Sequence, residues 1–186
     1  KIIKPFYNHP LYIEALSYTI KPYIDKIDKI IFSYHGIPER HLIKGDSTKK
    51  HCLQSINCCV ENCIQSNNCY KSNVLTTSKL CAENLRLTQQ KWMTSFQSRV
   101  SIIGSKWLNP YTDIELKKLP QSGIKNIAVI CPSFIADCLE TLEEINIRGK
   151  NDFLSNGGSN FYYIPCLNNN NFFIEALENI INQYNT

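Results

Sequence analysis

The sequence contains no apolar run that approaches the roughly 20 residues needed to cross a bilayer, so a membrane-spanning protein is not predicted. It also opens without a secretory signal peptide, and we therefore expect a cytoplasmic location. Basic residues are scattered and the net charge is only +4, which gives no indication of nucleic acid binding. No internal repeat occurs. With 43% hydrophobic and 19% charged residues, the 186-residue chain has the composition of one folded domain.

The nine cysteines lack the Cys-x2-Cys pairs that are typical of structural zinc sites. An odd number of cysteines without a secretion signal also argues against a disulfide framework and for reduced thiols, metal ligation or burial. Five of them fall within 18 residues: Cys52, Cys58, Cys59, Cys63 and Cys69. The other four lie in predicted helices or strands and are interpreted as packing residues: Cys81, Cys131, Cys138 and Cys166.

Continuous apolar segments alternate with segments that have helical spacing. Strands are predicted over 1–6, 29–34, 92–97, 126–131 and 161–165. Helices are predicted over 10–24, 73–85, 113–119, 134–147 and 171–184, and the polar segment 45–72 has almost no periodicity. Apolar strands separated by helices are typical of a parallel sheet that is covered on both faces. We therefore predict an α/β, Rossmann-like domain.

One predicted strand ends abruptly in a histidine. The apolar segment 30–34 is followed at once by His35, Gly36, Ile37 and Pro38. Ligands gather at the carboxyl ends of parallel strands, and here Gly36 permits a sharp turn while Pro38 stiffens the exit. His35 is therefore a candidate site residue. The alternative is a structural histidine that is hydrogen-bonded to a neighbouring loop.

A second predicted strand end is followed by acidic residues. Asp137, Glu140 and Glu144 are three or four positions apart and would share one face of the predicted helix. Such a stripe is either solvated, where it complements the helix dipole, or holds a cation or a proton. The apolar face of this helix is predicted from Leu139, Leu142 and Ile145. Glu140 would lie beside that face and be partly shielded, which favours a proton- or metal-handling role.

Five segments, in order and spacing, resemble bacterial ferrochelatases: IIFSYHGIPERHLIKGD, SFQSR, WLNPYTD, CPSFIADCLETLEEI and YYIPCLN. They run from residue 30 to residue 168, and each alone would be a weak signal. The resemblance extends across nearly the whole chain but covers only about the C-terminal half of the family's usual length. It implies that 1–186 is the C-terminal lobe of a two-lobe, chelatase-like enzyme, and that the reaction inserts Fe2+, as a substrate, into a porphyrin to form haem.

The resemblance also implies roles for individual residues. His35 matches the principal catalytic and metal-site residue, and Glu140 matches the second metal-site residue. Glu144 matches an acidic residue of a carboxylate path that leads away from the pocket. Asp137 matches as well, whereas Cys138 stands where some relatives have a histidine. The residues expected to line the porphyrin cleft are Trp107, Pro110, Tyr111, Thr112, Gln97 and Ser98.

Similar Cys-rich segments in some bacterial ferrochelatases hold a [2Fe-2S] cluster, which requires four thiolates. The resemblance thus makes 46–72 an insertion with candidate ligands Cys52, Cys58, Cys59, Cys63 and Cys69, although a polar loop with free thiols remains an alternative. Two further alternatives concern the whole chain. It could be a non-catalytic iron-sulfur fragment or module, or a related tetrapyrrole metal chelatase, although those relatives generally have a second histidine where Glu140 stands. A missing N-terminal lobe is the expected protein partner.

Overall fold

A computed structural model describes residues 2–55, 57–59, 68–100 and 106–185 of the chain. Four strands form one parallel sheet: β1 (Lys29–His35), β2 (Trp92–Gln97), β3 (Asn126–Ile130) and β4 (Asn160–Tyr163). The strand order is β2-β1-β3-β4, so β1 and β3 lie inside the sheet. The predicted α/β fold with a parallel sheet is confirmed.

Helices accompany the strands in sequence: α1 (Pro10–Ile20), α2 (Glu39–Gly45), α3 (Tyr70–Asn84), α4 (Thr112–Lys118), α5 and α6 (Asn171–Asn185). Helix α5 has three parts, an α-helical turn Leu139–Thr141, a π-helical stretch Leu142–Gly149 and an α-helical end Lys150–Ser155. Short 3-10 turns are Lys21–Lys26, Gln89–Lys91 and Leu119–Ser122. None of the helices in the described ranges combines the length and the apolar character that a bilayer crossing would require.

Both faces of the sheet are covered, because successive side chains of a strand point to opposite faces. Phe32 and Tyr34 of β1 pack in a core with α1, α3 and α6. Ile31 packs in a second core with α4 and α5. Ile31, Ser33 and His35 share this second face, so the row changes from apolar to polar towards the carboxyl end of β1. The two-sided helix cover that the sequence predicts is confirmed.

The structure differs from the predicted elements at three places. Residues 2–6 are irregular rather than a strand, and helix α2 lies where the prediction recognised none. The helix predicted over 134–147 begins only at Leu139 and continues to Ser155. The late start has a physical reason, because the carboxylate of Asp137 accepts backbone and side-chain hydrogen bonds from a distant loop, which competes with helix formation.

The π-helical stretch of α5 lies close to α4. π-Helices are rare and occur frequently at functional sites. A Cβ atom added at Gly149, the last residue of the stretch, would lie 2.9 Å from Leu116 Cδ1 and 3.2 Å from the carbonyl oxygen of Glu144. The absence of a side chain at Gly149 therefore allows α5 to approach α4 at the widened turn.

Candidate functional site

His35 lies at the carboxyl end of β1 and is held on several sides. Its Nδ1 is 2.6 Å from the carbonyl oxygen of Gly36, its carbonyl oxygen accepts a hydrogen bond from the Tyr70 hydroxyl (2.8 Å), and its N–H donates to Ser133 Oγ (3.2 Å). A carbonyl oxygen only accepts, so the proton of the neutral ring is on Nδ1. The Nε2 atom then carries the lone pair, which is what a proton acceptor or metal ligand needs.

The turn after His35 packs tightly against the segment 106–112. The N–H of Gly36 donates to the carbonyl oxygen of Gln97 (2.7 Å), and a Cβ atom at Gly36 would lie 3.0 Å from that oxygen and 3.5 Å from the Trp107 ring. The N–H of Leu108 donates to the carbonyl oxygen of Ile37 (3.1 Å). These contacts place Trp107 against the turn that follows His35.

Glu140 lies in the first turn of α5, which is capped by Cys138. Thr141 and Cys138 exchange hydrogen bonds in a capping box, with Cys138 N–H donating to Thr141 Oγ1 (3.0 Å). A hydrogen bond from the Cys138 thiol, with smaller effects of the Glu140 N–H and the charge of His35, lowers the pKa of the Glu140 carboxyl. Gln97, the ladder partner of His35, donates a hydrogen bond from its side chain to the backbone carbonyl oxygen of Glu140 (2.8 Å), so the start of α5 lies beside the carboxyl end of β1.

The carboxylate of Glu144 is bound by a single serine. Ser98 donates its N–H to Oε1 (2.8 Å) and its hydroxyl to Oε2 (2.7 Å). Ser98 has φ = 59°, a left-handed conformation that is uncommon outside glycine. Both residues line a polar pocket of ≈ 400 Å³ whose other charged residues are Arg99, Asp113, Lys117, Arg148 and Asp152.

The predicted stripe of three carboxylates is wrong, because Asp137 precedes the helix. Its carboxylate accepts hydrogen bonds from the Tyr163 hydroxyl, Thr141 Oγ1 (3.2 Å), Cys166 N–H (3.2 Å) and Asn168 Nδ2 (2.7 Å). Burial raises the pKa of Asp137, but these hydrogen bonds outweigh burial and the net pKa is lowered. Asp137 therefore anchors the start of α5.

The predicted apolar face of α5 is also wrong in two of its three residues. Leu139 is 74% exposed and Leu142 is 45% exposed, and only Ile145 enters the core. The exposed leucines flank Glu140 in sequence. The partial shielding expected of Glu140 therefore does not come from its own helix.

The residues expected to line the porphyrin cleft differ in exposure. Trp107 and Tyr111 are half-buried, and the Tyr111 ring lies 4.2 Å from the Arg99 guanidinium carbon. Pro110 is exposed, and Ser98 binds Glu144 as described. Thr112 and Gln97 are only 1% and 2% exposed. Their polar atoms are engaged mainly inside the protein.

An apolar pocket lies near the carboxyl end of β1, with Tyr34 of that strand in its wall. It has a volume of ≈ 490 Å³ and is lined largely by aromatic and aliphatic side chains, including Tyr7, Tyr12, Tyr70 and Ile135. Tyr70 and Ser133, which also bind the His35 backbone, form part of its wall. No pattern in the sequence predicts this role of Tyr70, because it depends on where α3 packs.

The described cysteines of the Cys-rich segment lie together. The Sγ atoms of Cys58 and Cys59 are 3.8 Å apart. A hydrogen bond from the Cys59 thiol and backbone N–H groups of α3 lower the pKa of the Cys69 thiol to about 5, against the effect of burial. Burial and the charge of Cys69 raise the pKa of Cys52 to about 12. Cys63 lies outside the described residues.

Contact between thiols does not by itself form a ligand cage. Within the described ranges, no group of three or more His, Cys, Asp or Glu side chains has the arrangement of a metal site. Residues 46–52 of this segment are organised by Asp46, whose buried carboxylate accepts hydrogen bonds from the N–H groups of Thr48, His51 and Cys52. Asp46 was not recognised from the sequence, because short-range hydrogen bonding of this kind has no periodic signal.

Comparison with known proteins gives one family. A family model described as Ferrochelatase matches residues 1–185. The chain is similar to the protein named Ferrochelatase from Pseudomonas entomophila, at 41% identity over 179 residues, which are 95% of this chain and 52% of that protein. It is also similar to Ferrochelatase from Opitutus terrae, at 44% identity over 178 residues, which are 95% of this chain and 51% of that protein. The chain spans about half the length of the curated relatives it matches.

Proposed function

Because the chain belongs to the ferrochelatase family, we propose that it forms the metal-handling part of an enzyme that inserts ferrous iron into a porphyrin to form haem. The observation that supports this proposal is that the start of α5, which carries Glu140, is hydrogen-bonded through Gln97 to the carboxyl end of β1, where His35 lies. His35 is the last residue of β1, Glu140 comes after β3 in the sequence, and β1 and β3 lie side by side in the sheet.

The residue types suit the chemistry. A porphyrin accepts iron only after its pyrrole nitrogens lose two protons, and a neutral imidazole with a free Nε2 accepts a proton near neutral pH. A carboxylate supplies oxygen ligands that suit ferrous iron without the tight binding of thiolates. Weak binding is needed, because the metal must be passed on to the porphyrin. His35 therefore serves as proton acceptor or iron ligand, and Glu140 as an oxygen ligand.

One of the two pockets beside the site is aromatic and the other is charged, and we propose that they receive the porphyrin and the iron, respectively. The aromatic pocket that includes Tyr70 suits an apolar macrocycle. In the charged pocket, Asp113 is paired with Arg99 and Asp152 with Lys117, whereas the Glu144 carboxylate is bound by the neutral Ser98. Glu144 is therefore the group there that would attract a hydrated cation. We propose that the porphyrin contacts the aromatic side and that Fe2+ approaches along the side of Glu144.

A second lobe is expected to complete the porphyrin cleft. Leu139, Leu142 and Ile135, which is 41% exposed, present apolar surface around the start of α5. Since the relatives are about twice as long, we propose that their other half supplies the cover for this surface. Alone, this chain should show weak or no turnover. The cytoplasm remains the proposed location.

The test is an anaerobic assay that follows the loss of porphyrin fluorescence with Fe2+, together with titration of the chain with Co2+ as a spectroscopic probe of the metal site. His35→Ala and Glu140→Gln should each weaken Co2+ binding by about tenfold or more. Glu143→Gln is the matched control, because Glu143 lies on the same helix but is half-exposed and paired with Arg148 (3.1 Å).

Two results would count against the proposal. Co2+ binding that is unchanged in both His35→Ala and Glu140→Gln would remove the metal site from these residues. Turnover by the isolated chain comparable with that of a two-lobe relative would contradict the need for a second lobe. Turnover with another metal or tetrapyrrole, and none with Fe2+ and a porphyrin, would favour the related chelatase.

A second candidate function concerns the Cys-rich segment 46–72. We propose that it binds a [2Fe-2S] cluster with Cys52, Cys58, Cys59 and Cys69 among the candidate ligands. The 3.8 Å contact between the Cys58 and Cys59 Sγ atoms supports this proposal, although the described thiols are not arranged as a metal site. When bound, such a cluster supplies one-electron redox chemistry. Anaerobically purified protein should absorb visible light and give an electron paramagnetic resonance signal on reduction. Cys69→Ser should abolish both signals and Cys81→Ser should not, whereas a colourless protein would favour free thiols.

A further inference from the structure

A row of polar side chains is buried between the sheet and α4 and α5, at the end nearest His35. Ser33 and Ser95 are 0% exposed, Thr112 is 1% exposed and Gln97 is 2% exposed. They extend from β1 and β2 to the start of α4, on the same face as the His35 side chain. A buried polar group without a hydrogen-bond partner destabilises the folded protein, so hydrogen bonding must define the arrangement of these side chains closely.

The hydrogen bonds of this row run in one direction. Gln97 Oε1 can only accept, so the Ser33 hydroxyl donates to it (2.7 Å). The Thr112 hydroxyl then donates to Ser33 Oγ (2.8 Å), and the Ser95 hydroxyl donates to Thr112 Oγ1 (2.8 Å). The Cys131 thiol also donates to Gln97 Oε1 (3.3 Å). The chain of donors ends at the Gln97 amide.

The side-chain amide of Gln97 also forms a hydrogen bond with the helix that carries Glu140. Gln97 Nε2 donates to the backbone carbonyl oxygen of Glu140 (2.8 Å). A flipped amide would place its oxygen against that carbonyl oxygen and its NH2 group against the Ser33 hydroxyl, so only one orientation satisfies both neighbours. The contact falls in the turn just before α5 becomes π-helical.

The backbone of Gln97 is fixed to His35 in turn. Gln97 is the partner of His35 in the β1–β2 ladder, and its carbonyl oxygen accepts the hydrogen bond from Gly36 N–H (2.7 Å). One residue therefore binds the turn after His35 through its backbone and the carbonyl of Glu140 through its side chain. Among the hydrogen bonds of the described ranges, no other single residue links the turn after His35 to the backbone of Glu140.

We propose that Gln97 is a positioning residue, which fixes the distance between Glu140 and His35 by clamping the start of α5 to the end of β1. This inference rests on the proposed function of the His35 and Glu140 pair. Gln97 itself does not bind the metal. Its amide oxygen accepts hydrogen bonds from Ser33 and Cys131, and its amide nitrogen donates to Glu140. Its effect on the metal is therefore indirect, through the position of the Glu140 backbone.

The test compares Gln97→Met with Ser17→Ala in the same chain. Methionine has a similar length and no hydrogen-bonding amide, so the link to Glu140 is lost while the volume is largely kept. Co2+ affinity should fall about tenfold, as is typical when a residue that orients a metal ligand is changed, and the absorption band of bound Co2+ should change. Ser17 is also buried, and its hydroxyl donates to the carbonyl oxygen of Ile13 (2.7 Å), but it lies in α1 on the opposite face.

Amide hydrogen exchange over 139–149, measured without metal, gives a second readout. Gln97→Met should speed exchange in this segment, and Ser17→Ala should leave it unchanged. The proposal is overturned if Gln97→Met keeps wild-type exchange here, or if it keeps the wild-type Co2+ affinity and band. An equal loss of affinity in Ser17→Ala would also overturn it, because general destabilisation would then explain the effect. Wild-type protein that binds no Co2+ would refute the proposed metal site instead, and the exchange data would still decide whether Gln97 holds α5.

Discussion

Replacing Asp137 with asparagine should destabilise the protein at neutral pH through the loss of one acceptor. The substitution keeps the shape of the side chain. Of the two carboxylate oxygens, Oδ1 accepts from Tyr163, Thr141 and Cys166, and Oδ2 accepts from Asn168. An asparagine can keep its oxygen at the Oδ1 position, but its NH2 group then faces the NH2 group of Asn168.

The size of the effect follows from these contacts. Asn168 cannot readily turn its amide, because Asn168 Oδ1 accepts Asp137 N–H (2.9 Å) and Asn168 Nδ2 also donates to the carbonyl oxygen of Cys166 (3.0 Å). The variant therefore loses one charge-assisted hydrogen bond and weakens the remaining ones. Since the side chain is half-buried, we take the lower part of the usual range and expect a loss of about 2 kcal/mol. That loss corresponds to a fall in Tm of roughly 4–8 °C for a chain of this length.

The pH dependence gives a sharper check. The hydrogen bonds lower the pKa of Asp137 in the folded protein. A carboxyl of this kind stabilises the fold above its unfolded pKa, and the stabilisation is lost as the pH falls through the lower, folded pKa. The difference between wild type and Asp137→Asn should therefore be complete at pH 6–7 and should shrink below about pH 4.

Urea unfolding followed by circular dichroism at pH 7 and near pH 3 measures both effects. Asp113→Asn serves as the control, because Asp113 is also acidic and paired, with Arg99 (2.9 Å), but is exposed. Its loss should stay within about 0.5 kcal/mol. Equal stability of Asp137→Asn and wild type at pH 7, or a difference that does not change at low pH, would refute the assigned role of this carboxylate.

Two further predictions concern other parts of the chain. Asp46→Ala removes the acceptor of the Cys52 N–H and of neighbouring backbone groups, and thiols of the Cys-rich segment should then react faster with a disulfide reagent than in wild type. Gly158→Ala would place a Cβ atom 2.2 Å from the Phe153 ring and should cost about 2 kcal/mol in urea unfolding, whereas Gly45→Ala, with nothing within 4 Å, should stay within about 0.5 kcal/mol.

The sheet could be predicted from the sequence because each strand is a short apolar segment with its own signal. β1 and β3 are buried on both faces, and the segments 29–34 and 126–131 are accordingly almost continuous in apolar residues. His35 could be proposed as a site residue for the same reason. A histidine at the end of a continuous apolar segment can be recognised from the sequence alone.

The parts that could not be predicted depend on contacts between distant segments. The start of α5 is set by Asp137, whose partners Tyr163, Cys166 and Asn168 lie 26–31 positions later. The importance of Gln97 depends on strand register, which places it beside His35. Neither relationship has a periodic pattern, because both arise only when the sheet is assembled.

The inner position of β1 has a consequence for how the chain is made on the ribosome. Its hydrogen-bonding partners begin only at Trp92 and Asn126, so a nascent chain exposes both edges of a strongly apolar strand until these later segments have emerged. Unpaired strand edges promote aggregation of incomplete chains. The protein should therefore depend more on chaperones during synthesis than a domain of equal size whose neighbouring strands are consecutive.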